Sequence, residues 1–181
     1  MMPGKGSEAG LKVLLVDGYN LIHSHPSLSR AVRRSLEEAR EELLHLIAPI
    51  CSPLFYEAVV VVFDAPSAPL PSGFGAGGNL QVVYTGSGQS ADAFLRKAAL
   101  ALSGRAQVEI VSGDRAVSQM ADTLGVGRLS GEQFWKRLEE ARRMLREELE
   151  RRQPPSWSPL EERIPEEVRR ALDRIRKGED F

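Results

Sequence analysis

Cysteine is almost missing from this chain: Cys51 is the single one among 181 residues. One thiol excludes an intrachain disulfide and any zinc site built on several thiolates. It suits a reducing compartment, with the side chain expected to be buried as a small hydrophobe. Histidine is nearly as scarce. His23 and His25 form a His-x-His pair, yet no cysteine or third ligand accompanies them, so solvated loop residues are expected rather than zinc ligands. Long apolar runs are absent too. No stretch reaches the roughly 20 residues that span a bilayer, and residues 1–10 are small and polar, unlike an export signal. A soluble, cytoplasmic protein is the expectation. Net charge is only −1, so no global field advertises nucleic acid or an anionic membrane, although a local basic stripe can still bind phosphate. Nucleophile elbows and Walker lysine loops do not occur, and Gly86-Ser87-Gly88 lacks the glycine spacing of a dinucleotide turn.

What is present is an alternation of short β-branched runs with amphipathic stretches. Residues 12–16, 58–63, 80–84, 107–111 and 126–129 read as strands, several of them apolar almost throughout, as strands covered on both faces are. A long helix is predicted over 27–48, with Leu28, Val32, Leu36, Ala39, Leu43 and Leu46 on one face. Ser90 is a good N-cap for a second helix, and Asp114 opens a third that Gly125 stops. Strands separated by helices imply right-handed crossovers and a parallel sheet. The proline- and glycine-rich stretch 66–78 reads as a loop. Residues 131–181 carry more than half of all the charged side chains. Within them a helix over 131–153, striped by Phe134, Leu138, Ala141, Leu145 and Leu149, precedes a Pro-rich break and a last helix near 165–177. The domain is therefore placed at 11–153, followed by a charged linker and helix at 154–181.

Four aspartates fall where predicted strands give way to loops or helices: Asp17, Asp64, Asp92 and Asp114. Ligands of parallel sheets sit beyond the carboxyl ends of the strands, which is where these acids fall. Each has a plain alternative. Asp17-Gly18 and Asp64 can be turn residues, Asp92 can favour a helix dipole and Asp114 can cap a helix. Their coincidence at one edge points instead to a divalent cation, because close carboxylates otherwise repel and raise one another's pKa. Asn20 is a neutral partner able to orient a water or a carboxylate. Ser112 can hydrogen-bond a phosphate or simply allow a tight turn. Asp122 is expected to face solvent.

The order Leu14-Leu15-Val16-Asp17-Gly18-Tyr19-Asn20, Val60-Val61-Val62-Phe63-Asp64-Ala65, Ser90-Ala91-Asp92 and Val111-Ser112-Gly113-Asp114 resembles the NYN domains, which are PIN-like nucleases, and among them the YacP-like branch. The likeness extends through Ser118-Gln119 and Leu129-Ser130-Gly131-Glu132, covering about residues 11–150. It implies an α/β, PIN-like Rossmannoid three-layer α/β/α fold with a parallel sheet of about five strands in the order 3-2-1-4-5, here with a C-terminal helical extension. It also implies an Mg²⁺- or Mn²⁺-dependent ribonuclease site. By that resemblance Asp17, Asp92 and Asp114 match the acidic metal-binding positions, with Asn20 and Asp64 in support. Ala93 stands where relatives of this branch usually carry a second acid, and Ala116 where many other NYN proteins carry aspartate.

The expected function is a metal-dependent endoribonuclease acting on single-stranded RNA or mRNA, including mRNA on the ribosome. Asp17, Asp92, Asp114 and Asn20 would form the catalytic centre. Arg96 and Arg115, with Arg30, Arg33, Arg34 and Lys97 as further candidates, would meet phosphates, and Tyr19 would stack on a base. An RNA- or ribosome-binding module without catalysis is a second reading, motivated by Ala93 and Ala116. A phosphatase of small phosphate esters is a third.

Overall fold

The computed structural model describes residues 11–52, 54–64, 79–85 and 90–152. The predicted loop at 66–78, the Gly86-Ser87-Gly88 stretch and the predicted helix near 165–177 lie outside these residues. Five strands form one parallel sheet: β1 (Lys12–Asp17), β2 (Ala58–Asp64), β3 (Leu80–Thr85), β4 (Gln107–Val111) and β5 (Gly127–Leu129). Their order is β3-β2-β1-β4-β5, as expected. Val16 is level with Val61 on one side and Val111 on the other, so β1 and β4 end within a residue of each other while β2 runs on to carry Asp64 beyond them.

Alternate residues of each strand feed two separate cores, which is why these runs are apolar throughout. Leu14, Val16, Val61 and Phe63 face one core; Val13, Leu15, Val62 and Ile110 face the other. The first core is covered by α1 (Gly18–Ser24), α2 (Pro26–Ala31), α3 (Leu36–Ile47) and Phe134, Leu138 and Ala141 of α6 (Gly131–Arg152). The second is covered by α4 (Ala91–Leu102) and α5 (Arg115–Leu124). The result is a three-layer α/β/α arrangement.

The single helix predicted over 27–48 is in fact two. Pro26 opens α2, whose fixed φ suits a first turn. Ser35 is extended, at φ −157°, and its hydroxyl accepts the Glu38 N–H to start α3 afresh. Leu36, assigned to the buried stripe, begins that new helix and is exposed, as is Leu149 on α6. Cys51, expected to be buried, is half-buried. The predicted caps hold elsewhere. Ser90 accepts the Ala93 N–H, Asp114 accepts the Val117 N–H, and Gly125 closes α5 in the left-handed region at φ +66°.

The chain divides into two units, Met1–Leu145 and Arg146–Phe181. In the second, described as far as residue 152, Arg151 lies 3.9 Å from Glu147 and 4.0 Å from Glu148. Among the described residues no helix is long and apolar enough to cross a membrane.

Candidate functional site

Asp17 is both the last residue of β1 and the N-cap of α1. Its Oδ1 accepts the Asn20 N–H at 3.0 Å, so strand, carboxylate and helix start are one rigid unit. Gly18 allows this. A Cβ there would run into the Phe63 ring, so any larger residue would push the helix off the sheet. Asp64 ends β2, is exposed, and accepts a hydrogen bond of 3.2 Å from Thr85 Oγ1. Asp92 lies in the first turn of α4, and Asp114 caps α5 through a 2.9 Å bond to Val117 N. Thus four different strand ends and helix starts each contribute one acid to the same edge, as the sequence pattern implies. A cleft of about 300 Å³ opens there, lined by Asp17, Tyr19, Asn20, His23, Asp64 and Asp92. Asn20 is held by its own N–H on Asp17 and packs its amide against Gly113.

The electrostatics join the acids across elements. Asp17 has its pKa raised above the ordinary 3.8, first by burial and then by the charges of Asp92 and Asp114, against the lowering pull of two backbone N–H groups. Asp92 is raised by burial, by Asp114 and by Asp64, and only Arg96 pulls the other way. This is a centre of excess negative charge, short of a cation.

Among the described residues no three His, Cys, Asp or Glu side chains stand close enough to hold one ion directly. The expected direct sharing of an ion by Asp17, Asp92 and Asp114 is therefore not seen in this arrangement. An ion that keeps several of its waters and meets one or two carboxylates fits the cluster. Mg²⁺ behaves in that way.

A model of the YacP-like NYN domain matches residues 14–177. The chain belongs to the YacP-like NYN domain family. It is 28% identical over 171 residues to a Bacillus subtilis (strain 168) protein described as uncharacterized protein YacP, with 93% of this chain and 99% of that one covered. A crystal structure of Rae1 (YacP) from Bacillus subtilis is similar at a TM-score of 0.65 and 27% identity, covering 92% of this chain and 95% of that one. A single-substitution mutant of the same protein gives a TM-score of 0.65 and 26% identity over 90% and 99% of the two chains. At the level of the family, a YacP-like NYN domain carries a nuclease-like, RNA-related function. The match extends well past residue 150 and takes in most of the charged C-terminal stretch.

In this YacP-like NYN domain the other expected site residues are more dispersed. Ser112 is buried, and its Oγ accepts the Asp114 N–H at 3.1 Å, so it shapes the loop that carries Asp114. It also lines a second cleft, of about 710 Å³, with Ser118, Ser130, Arg128 and Lys136. Arg96, Lys97, Arg115 and Arg33 are exposed. Arg34 is paired with Glu38 at 3.1 Å, and Arg30 donates to the Pro26 carbonyl at 3.2 Å. Asp122 faces solvent, paired with Arg128. His23 is exposed in α1, whereas His25 is not the solvated loop residue expected. Its ring bonds Ser27 at 2.9 Å and lies 4.5 Å from the Trp135 ring.

One functional candidate carries no motif in the sequence. Arg40, on the inner face of α3, is 9% exposed and sits among three aromatic rings, with its guanidinium carbon 5.5 Å from Tyr19, 5.8 Å from Phe63 and 5.6 Å from Tyr84. The only signal was its position, directly after buried Ala39 and three before buried Leu43.

Proposed function

We propose that this YacP-like NYN domain is a divalent-metal-dependent endoribonuclease that hydrolyses phosphodiester bonds of single-stranded RNA, mRNA included. The observation that carries the reading is the cation-poor acid cluster: Asp17 and Asp92, both raised in pKa, with Asp114 coupled to each by charge. A bound Mg²⁺ or Mn²⁺ ion would supply activated water and relieve charge on the scissile phosphate. The chain's own part is positional. Asp17 and Asp92 offer fixed negative charge on rigid element ends, Asp114 adds to the field, and Asn20 turns its amide toward a ligand or substrate oxygen. Asp64, exposed and tied to Thr85, supports the edge. Exposed Arg96, midway along α4, and exposed Arg115, at the start of α5, would meet phosphate.

The test is cleavage of an end-labelled single-stranded RNA by the purified chain, with Mg²⁺, with Mn²⁺ and with chelator. Metal-dependent internal cuts that vanish in Asp17→Asn, Asp92→Asn and Asp114→Asn support the reading. Cleavage unchanged in all three would show that the activity belongs to a contaminant. A second reading, an RNA-binding module without turnover, draws on Ala93 beside Asp92 and on the lack of three converging ligands among the described residues. It predicts RNA binding with no cuts in any metal.

A further inference from the structure

Tyr19 lies between Gly18 and Asn20 in the unit that holds Asp17, and it lines the acidic cleft. Its hydroxyl oxygen receives two hydrogen bonds from one side chain: Arg40 Nε donates at 2.9 Å and Arg40 Nη2 donates to the same atom. A phenol oxygen has two lone pairs and one proton. With both lone pairs engaged, the hydroxyl has only its proton left to offer. Arginine stays protonated at any physiological pH, so the direction of these bonds is fixed.

Neither the nearby phenol nor a carboxylate takes that proton. The Tyr84 hydroxyl, beside the same guanidinium, is buried and has no hydrogen-bond partner, so it is not the recipient. No carboxylate pairs with Arg40 or bonds the Tyr19 hydroxyl among the described residues. The ring packs against Phe63 at 5.3 Å, which fixes where the hydroxyl stands.

We propose that the Tyr19 hydroxyl donates a hydrogen bond to a non-bridging phosphate oxygen of RNA in the acidic cleft, and that Arg40 is the positioning residue that commits it to donate. The idea rests on the nuclease reading above and names a contact within that site. Hydrogen bonding to a cation withdraws charge from the phenol and strengthens it as a donor. A donor aimed at a phosphate oxygen gains most where negative charge develops in the transition state, so the contact acts on kcat more than on KM. Arg40 reaches the substrate only through Tyr19.

The experiment compares the wild type with Tyr19→Phe, Arg40→Met, the double variant and Tyr84→Phe. Each is assayed for thermal stability and for kcat and KM on a single-stranded RNA, and each is rebuilt on Asp92→Asn for RNA binding by fluorescence anisotropy. Tyr19→Phe lowers kcat roughly 10–100-fold with a smaller change in KM. It also lowers Tm, because Arg40 is left buried without its partner. The double variant removes charge and partner together, so Tm recovers while kcat stays low. Tyr84→Phe keeps full activity. Recovery of kcat along with Tm in the double variant would reduce the pair to a structural tie and overturn the proposal. So would normal kcat in Tyr19→Phe. A wild type that binds RNA in the anisotropy assay without cutting it sinks the nuclease reading instead, and the contact then stands or falls on a roughly tenfold loss of binding in Tyr19→Phe. A wild type that neither cuts nor binds RNA overturns both.

Discussion

Gly113 and Asn20 are fitted to each other across the sheet edge: the site of a Cβ on Gly113 is already filled by the Asn20 amide nitrogen. Asn20 comes from α1 and Gly113 from the turn between β4 and α5, so the contact fastens two of the acid-bearing elements together. Gly113→Ala is expected to push the Asn20 amide out of its place without removing any chemical group from the cleft. A displacement of about 1 Å in a positioned group costs on the order of 10²-fold in rate. The variant should therefore fold, retain its RNA affinity within a few-fold, and lose roughly two orders of magnitude in kcat. Steady-state kinetics beside a thermal melt decide it. Activity close to wild type would mean that Asn20 is not used in the reaction.

Asp17 trades stability for its place in the cluster. Its pKa in the fold lies above the ordinary 3.8, chiefly through burial and then through Asp92 and Asp114. For such a carboxyl the folded state holds its proton more tightly than the unfolded chain. As pH rises from about 3.8 through the raised value, the unfolded state ionises first and the fold loses stability. Asp17→Asn removes that loss and keeps the helix cap, since Asn and Asp serve equally well as N-caps. In chelator the variant should melt with the wild type near pH 4 and above it at pH 7, while having no nuclease activity. Mg²⁺ should close the gap by stabilising the wild type alone. A variant that melts below the wild type at pH 7 in chelator would contradict the strain assigned to this site.

The gathering of the acids at one sheet edge was legible because it depends on local pattern. Apolar runs ending in aspartate, Ser90 and Asp114 before amphipathic stretches, and Gly125 after one are all features of neighbouring residues. What was not legible depends on contacts distant in sequence. The stripe of Leu28 and Val32 continues in phase with Ala39 and Leu43, so periodicity alone joined α2 to α3 and hid the fresh cap at Ser35. Nothing beside Arg40 in the sequence marks it out, because Tyr19, Phe63 and Tyr84 are brought around it from two strands and another helix. The pairing of Gly113 with Asn20 is likewise invisible before folding. Asp17, Asp92 and Asp114 do fall at one sheet edge, while among the described residues no three acids stand close enough to hold one ion directly.

The opposite edge of the sheet carries a polar tie that should matter for stability alone. Tyr56, 6% exposed, donates to Glu109 Oε2 at 2.6 Å, and Arg137 Nη1 donates to Tyr56 at 3.0 Å and to both Glu109 oxygens at 2.7 and 2.8 Å. Tyr56→Phe keeps the ring and removes the shared hydroxyl, at a cost of about 1–2 kcal/mol. Denaturant unfolding should register that cost while kcat and KM stay unchanged. Burial first, and the bond to Glu109 second, push the Tyr56 hydroxyl up to about 12. The wild type therefore loses stability between pH 10 and 12, where the unfolded chain ionises and the fold does not, and the variant does not show this step. A loss of nuclease activity in Tyr56→Phe would mean that the two edges of the sheet are coupled.

Cys51 should be a poor nucleophile in the native protein. Burial pushes its thiol up to about 11 from an ordinary 9.0, and its Sγ lies 3.5 Å from the Ile47 carbonyl, toward which the S–H points. Only the thiolate reacts, so a thiol held that high carries roughly 100-fold less reactive species at pH 8 than an ordinary one. Iodoacetamide should accordingly modify the folded chain about two orders of magnitude more slowly than the same chain in denaturant, with the native rate still climbing toward pH 11. Because Cys51 follows the turn after α3 and lies away from the residues that line the acidic cleft, alkylation should leave RNA cleavage intact. Rapid labelling of the native chain at pH 8 would show that the segment opens far more readily than its packing against the first core implies.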